Sequence, residues 1–200
     1  MKDKKIASYQ ERRLWLINEM KKQLKWKRFI HTMSVAGVAA SLAMRYGEDV
    51  SAAEEAAILH DCAKYLDVSR MEELVLEAGL SISNVEKGSP SLLHSKAGAI
   101  LAAREYGVID NNIIEAIRWH TTGRPGMSML EKIIFTADYI EPGRQIPGLS
   151  AVRALAFTDI DRAVLMILDR TLDYLNETCS DIDEMTQKTF DYYREINEDE

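Results

Sequence analysis

The sequence predicts an all-α protein, a helical bundle around one core. Three observations predict it. Apolar residues recur three and four positions apart along nearly the whole chain, the period of a helix burying one face. Helix signals punctuate that period: Ser8 with Glu11, Ser51 with Glu54 and Ser128 with Glu131 form capping-box patterns, and Gly47 and Gly107 close apolar runs. No segment alternates apolar and polar residues convincingly as a strand would, and no repeat, low-complexity tract or linker divides the chain. Its 200 residues, 46% of them apolar, suffice for one domain with a sizeable core.

Taken in order, Leu14, Ile17, Met20 and Leu24 mark a first helix after Ser8. A second starts near Trp26, turns His31, Val35, Val38 and Leu42 inward, and ends at Gly47. Ser51 opens a central helix carrying Ala56, Leu59, His60, Ala63 and Lys64, so that His60 and Lys64 share a face. Asp67 to Gly79 reads as a short amphipathic helix with Met71, Leu74, Val75 and Ala78 inward. Leu80 to Ser89 reads as a loop, suited to closing over a ligand. Pro90, at a first helical position, opens the helix of His94, Gly98, Leu101 and Ala102. Asp110 or Asn112 caps the next, which aligns Ile113, Ile117 and His120 and breaks at Thr121 to Gly126. Leu130, Ile134 and Asp138 align in the helix that Ser128 starts and Glu141-Pro142-Gly143-Arg144 ends. A long helix follows over about 159 to 178, with Ile160, Ala163, Val164, Ile167, Leu168, Thr171 and Leu175 inward, and the polar tail from Asp183 to Glu200 forms a last one.

The chemistry concentrates where the run Ala56-Ala57-Ile58-Leu59 meets His60-Asp61. Histidine is the commonest protein metal ligand, and a carboxylate beside it suits a borderline or hard cation. Lys64 adds a positive charge, which fits a phosphate next to a metal. The four histidines, His31, His60, His94 and His120, all fall on apolar faces, and Asp138 closes an apolar run as Asp61 does. A single inward histidine is ordinarily a hydrogen-bonded core residue. A buried cluster of charges, however, carries a heavy desolvation cost that a metal offsets, so the set as a whole points to a metal site.

Other features read as packing or as solvated surface. Cys62 has the helical phase of a packing residue, and Trp119, Met127 and Met129 read as packing too. Lys21, Lys22, Lys25, Lys27 and Arg28 read as a solvated face. A net charge of -7 disfavours nucleic acid and acidic membranes as partners. Cys62 and Cys179 make no disulfide framework, the start Met1 to Lys5 leads to no signal region, and no apolar run approaches the ~20 residues of a membrane span. A cytoplasmic protein with no nucleic-acid and no membrane partner is expected.

Five elements carry a family resemblance: Arg28-Phe29-x-His31-Thr32, Leu59-His60-Asp61-x-Ala63-Lys64, His94-x-x-x-Gly98-Ala99, His120-Thr121-Thr122-Gly123-Arg124-x-Gly126-Met127 and Ala137-Asp138-Tyr139-Ile140-Glu141-Pro142-x-Arg144. Together they resemble the HD-domain phosphohydrolases, and among these the YqeK-type symmetrical diadenosine tetraphosphatases. The resemblance is dense over about 26 to 160 and loose in the tail. It implies an HD-domain helical bundle over residues 1–200, with helical extensions at both ends of the motif core. It also implies cleavage of diadenosine tetraphosphate to two ADP.

Carried over by position, His31, His60, Asp61 and Asp138 are the implied metal ligands. The implied substrate contacts are His31, Lys64, His94, His120, Thr121, Asp138 and Arg144, with tail contacts from about Asp183 to Lys188. Asp61, Lys64, His94 and Arg144 are the expected catalytic residues. Histidine and carboxylate ligands without thiolate suit iron, with manganese, cobalt or nickel as alternatives, and such a metal acidifies a water into a nucleophile. One ion is favoured; a second held by His94 and His120 is the open alternative, His94 or His120 otherwise serving as a proton donor. A dinucleoside polyphosphate or ADP-type nucleotide is the expected ligand, and a homodimer stays open. The rivals are another HD-type nucleotide phosphohydrolase, acting on a nucleoside monophosphate, an alarmone or a cyclic dinucleotide, and a non-catalytic HD metal-binding module.

Overall fold

The computed structural model describes residues 8–198. The first seven residues, which include the start read above for a signal region, and the last two of the tail lie outside the description. Eleven helices and no strand occur among the described residues.

Ser8 caps α1 (Tyr9–Gln23) by accepting the Glu11 N–H. This helix buries Leu16 and Met20, whereas Leu14, expected inward, is exposed. The long α2 (Trp26–Tyr46) ends at Gly47, whose φ of 70° is the left-handed closure that glycine adopts without strain. It buries Thr32, Val35, Ala39 and Leu42, so its inward stripe runs beside His31 and not through it.

Helix α2 packs most extensively on α3 (Val50–Leu59). Ala36, Ala39 and Ala43 on one side and Ala53, Ala56 and Ala57 on the other are buried, and side chains this small let two backbones approach closely. Asp49, not Ser51, caps α3: its carboxylate accepts the Ser51 and Ala52 N–H groups. Glu54 instead reaches Arg13 at 3.0 Å, tying α1 to α3.

The central helix was expected to run through Lys64, but α3 stops at Leu59. The chain then proceeds in turns, with Cys62 N–H donating to Leu59, Lys64 to Asp61 and Leu66 to Ala63, each carbonyl three residues back. Asp67 caps α4 (Val68–Glu77). The loop expected over 80–89 contains a short helix, α5 (Asn84–Gly88), started by a Ser83–Glu86 capping box.

Pro90 opens α6 (Pro90–Arg104). A Cβ on its Gly98 would lie 3.4 Å from the His60 carbonyl oxygen and 3.5 Å from Ile117, so this glycine seats α6 closely on the His60 turn. Asp110 caps α7 (Asn111–Trp119), and Ser128 with Glu131 forms the capping box of α8 (Met129–Ile140). A helix absent from the sequence reading, α9 (Leu149–Ala156), follows. Its Arg153 donates to the Ile140 and Glu141 carbonyls, both at 2.9 Å, satisfying the open end of α8. Asp159 caps α10 (Ile160–Glu177), and α11 (Glu184–Glu198) completes the order.

One continuous core joins these helices, with Leu42, Ile58, Leu59, Leu93, Ile117, Ile133 and Ile167 fully buried. Each such side chain contributes about 1.5–3 kcal/mol relative to exposure. Helices α2, α3, α7 and α8 converge at the site, α6 lies against α7, and α11 lies against α10. No helix among the described residues is long and apolar enough to cross a membrane.

Candidate metal centre

Two helices end at the centre, and each is followed at once by a histidine. His60 follows α3 and His120 follows α7. Both rings fold back on the last helical turn: the Nδ1–H of His60 donates to the Ala57 carbonyl and that of His120 to the Ile117 carbonyl, each at 2.7 Å. A carbonyl only accepts, so Nδ1 carries the proton and Nε2 presents its lone pair. On α2, His31 makes the same choice with a different partner, donating Nδ1–H to Glu141 Oε1 at 3.2 Å. Glu141 is itself buried and also accepts the Gly143 N–H at 2.5 Å, so it is fixed from two sides.

Lone pairs and carboxylates therefore face one another. His31 Nε2 lies 3.0 Å from Asp138 Oδ1 and 3.7 Å from Asp61 Oδ2. His60 Nε2 lies 3.4 Å from Asp61 Oδ2 and 3.9 Å from Asp138 Oδ1. The Nε2 atoms of both His31 and His60 are buried without a hydrogen-bond partner among the described residues. Acceptors at these separations repel unless a cation lies among them. Bonds of about 2.1 Å to one ion place adjacent ligand atoms roughly 3.0–3.4 Å apart, so the donor set fits a metal. His31, His60 and Asp138 make one group able to hold an ion, and His60, Asp61 and His120 a second that overlaps it. The hydrogen bonds behind the histidines are the outer contacts that orient metal-ligating imidazoles.

His94, from α6, completes the cluster. Its Nε2 is 3.1 Å from Asp61 Oδ1 and 3.0 Å from His120 Nε2, so a proton there is shared between a carboxylate and an imidazole lone pair. Burial, then the neighbouring charges of His94 and His60, push the His120 pKa down to about 3, so its ring is neutral at physiological pH. Burial likewise lowers His94, against the pull of Asp61. His60 moves the other way: burial disfavours its cation, but the charge of Asp61 outweighs that. Asp61 resists ionisation by burial, yet His60 and His94 hold it well below the usual carboxylate range. Asp138 is held low in the same manner, with His31, His60 and Arg144 outweighing burial.

Positive charge rims the cluster. Arg28 reaches Asp61 Oδ2 and Arg144 reaches Asp138 Oδ1, both at 2.7 Å. The solvated face expected for Arg28 is thus a correction: its guanidinium belongs to the centre. Lys64 lines the adjoining cavity, about 720 Å³ in volume, where burial, aided by the charges of Arg28 and Arg144, lowers its pKa against the pull of Asp61. Thr121 lines that cavity as well, its buried hydroxyl oxygen lacking a partner among the described residues.

The loop carrying Thr121 is held in two ways. Arg124 makes a two-pronged ion pair with the buried Glu131 of α8, at 2.6 and 2.9 Å. Gly123 has a φ of 64°, and a Cβ there would lie 2.8 Å from Thr189 of α11, so the last helix rests on this loop. From the tail, Asp183 lines the cavity together with Tyr174 and Thr186. Lys188 is not among the lining residues; it is exposed and pairs with Glu184 at 2.6 Å.

The structure brings His31, His60, Asp61, His94, His120 and Asp138 into one cluster, with Lys64, Thr121, Arg144 and Asp183 around it. Sequence reasoning missed Glu141 as the support of His31, although its place three residues beyond Asp138 was a usable signal. Cys62 points away as expected, its thiol donating to the Gly98 carbonyl.

Comparison with known proteins places this geometry. The HD domain model matches residues 28–143. Over 156 residues, 78% of this chain and 83% of the relative, the sequence is 44% identical to a protein of Bacillus subtilis (strain 168) named bis(5'-nucleosyl)-tetraphosphatase, symmetrical. A relative of the same name from Halalkalibacterium halodurans is 46% identical over the same shares. A crystal structure from Clostridium acetobutylicum, described as a predicted HD superfamily hydrolase involved in NAD metabolism, superimposes with a TM-score of 0.89 at 35% identity, covering 96% of this chain and 99% of that one. With the paired His60-Asp61 at the centre of the cluster, the chain belongs to the HD domain family, and within it to the group of the symmetrical bis(5'-nucleosyl)-tetraphosphatases.

Proposed function

We propose that the protein hydrolyses dinucleoside tetraphosphates at the central anhydride, converting diadenosine tetraphosphate and water to two ADP. The observation that carries this reading is a cation-ready cluster of His31, His60, Asp61 and Asp138 opening on a cavity edged by Arg28, Lys64 and Arg144. The names of the two bacterial relatives support the substrate.

His31, His60, Asp61 and Asp138 would hold the metal, for which iron is the first choice and manganese, cobalt or nickel the alternatives. Such an ion would supply an acidified water and offset phosphate charge. A second ion on His94 and His120, with Asp61 beside them, is the alternative to a proton-carrying role for His94.

The chain's own residues do the rest. Arg28, Lys64 and Arg144 bind the polyphosphate and neutralise charge as the transition state forms. Thr121 donates its unpaired hydroxyl to a phosphate oxygen, and the cavity wall of Tyr174, Asp183 and Thr186 receives one nucleoside. A bond forms between the water oxygen and an inner phosphorus, and the bridging P–O bond breaks with its electron pair leaving on ADP. The proton that the water gives up passes to His94, whose Nε2 faces Asp61 and His120, and His94 returns it to the leaving oxygen. Diphosphate esters leave readily, so placement and charge neutralisation are the main tasks.

Chromatography of products from diadenosine tetraphosphate tests the reading. Two equivalents of ADP are expected. Equal ATP and AMP would refute symmetrical cleavage, and a faster reaction with a nucleoside monophosphate would favour a monophosphatase.

A further inference from the structure

A second cavity reaches the cluster from the other side of the two arginines. It has about 690 Å³, close to the 720 Å³ of the first. The first meets the cluster through Asp61, His94 and Asp138, the second through His31, and Arg28 and Arg144 line both. The walls differ in kind. The first sets Lys64 among Asp181, Asp183 and hydroxyl groups, whereas the second carries both Lys25 and Lys27. Glu141 also lines it, but its carboxylate is engaged by His31 and by the Gly143 N–H.

The start of α2 borders this second cavity and is electrostatically unusual. A helix N-terminus is the positive end of its dipole, where acidic residues are favourable and cations are not. Here the first turn holds no acid, no side chain caps it, and Lys25, Lys27 and Arg28 crowd it with positive charge. Neither lysine pairs with an acid among the described residues. Such a terminus is at odds with helix stability and suited to an anion. Beside the charges, the exposed side chain of Ile30 and that of Ile146 give an apolar wall for a planar base.

We propose that this second cavity is a nucleoside-diphosphate subsite in which Lys25 and Lys27 hold the phosphates of the half of the substrate that departs. The inference rests on the function proposed above and extends it. With one cavity on each side of the cluster and Arg28 and Arg144 shared between them, each half of a tetraphosphate has its own wall and an inner phosphorus lies at the cluster.

Titration of the metal-loaded protein with ADP, followed by calorimetry, tests the subsite without turnover. The wild type is expected to bind two ADP. Lys25→Glu/Lys27→Glu is expected to bind one, with an unchanged or raised Tm because cations leave a helix N-terminus. The milder Lys25→Gln/Lys27→Gln is expected to keep two sites, one of them weakened about tenfold or more, the scale of losing charge-assisted contacts. A single ADP in the wild type, two undiminished sites in both variants, or loss of both sites in either variant overturns the proposal. Failure of the proposed activity would appear elsewhere, in the product chromatogram of the wild type, which this titration does not use.

Discussion

Arg28 shows how one side chain can carry two readings. In sequence it belongs to a run of cations at a helix start, a pattern that usually marks solvated surface. In space its guanidinium meets Asp61 at 2.7 Å, matching the contact of Arg144 with Asp138. Arg28→Ala is therefore expected to retain the metal and to lower kcat/KM for diadenosine tetraphosphate by about 10²-fold, the loss typical of one positioned charge at a reacting centre. Elemental analysis beside kinetics checks it; a loss of metal along with rate would make Arg28 a support of the ligands instead. The residues proposed as ligands were legible as candidates because histidine and aspartate are conspicuous on apolar helix faces: His60, Asp61 and Asp138 each end such a run. Glu141 and Arg28 were less so, since acids and bases near helix ends are common and only the fold selects the few that turn inward.

At the scale of elements, the existence of the helices was readable and their ends less so. Period and caps located most of the helices, whereas α3 stops five residues before the expected Lys64, and the His60 ring bonding back to Ala57 sits at that stop. The missed α9 has eight residues and opens on Gly148 with no side-chain cap, so it offered no start signal. The cap of α3 tests how far such signals can be trusted. Asp49, not Ser51, accepts the orphan N–H groups, and the Ser51 hydroxyl and the Ala52 N–H hold its carboxyl below the usual pKa. Asp49→Ala is expected to cost about 1 kcal/mol at neutral pH. Because the folded-state pKa is depressed, this contribution is present above the unfolded value of about 3.9 and is lost as pH falls through the folded one. Denaturation of both proteins at pH 7 and pH 3 should show the difference shrinking on acidification; a constant difference would assign the effect to helix propensity.

For the whole molecule, an all-α bundle followed directly from hydrophobic period, but the way its helices cross did not, because periodicity identifies buried faces without pairing them. Resemblance placed the tail near the nucleotide, and the fold divides that expectation between Asp183, on the cavity, and Lys188, outside its lining. The cluster draws His31 from α2, His60 and Asp61 from the end of α3, His94 from α6, His120 from the end of α7 and Asp138 from α8. The unfolded chain has no such site, so metal binds the folded form alone. At a free ion concentration about a thousandfold above Kd this contributes about 4 kcal/mol. Removing the ion with a chelator should lower Tm by roughly 10 °C in a chain of this size, and Asp61→Ala should abolish that sensitivity; scanning calorimetry with and without chelator checks both. The donors come from sites as distant in sequence as His31 and Asp138, so no local stretch of the nascent or refolding chain can offer them early. Interactions that close last leave the folding rate alone and act on the reverse step. The ion is then a brake on opening, and the lifetime of the closed bundle, more than the speed of its formation, records whether the centre is filled.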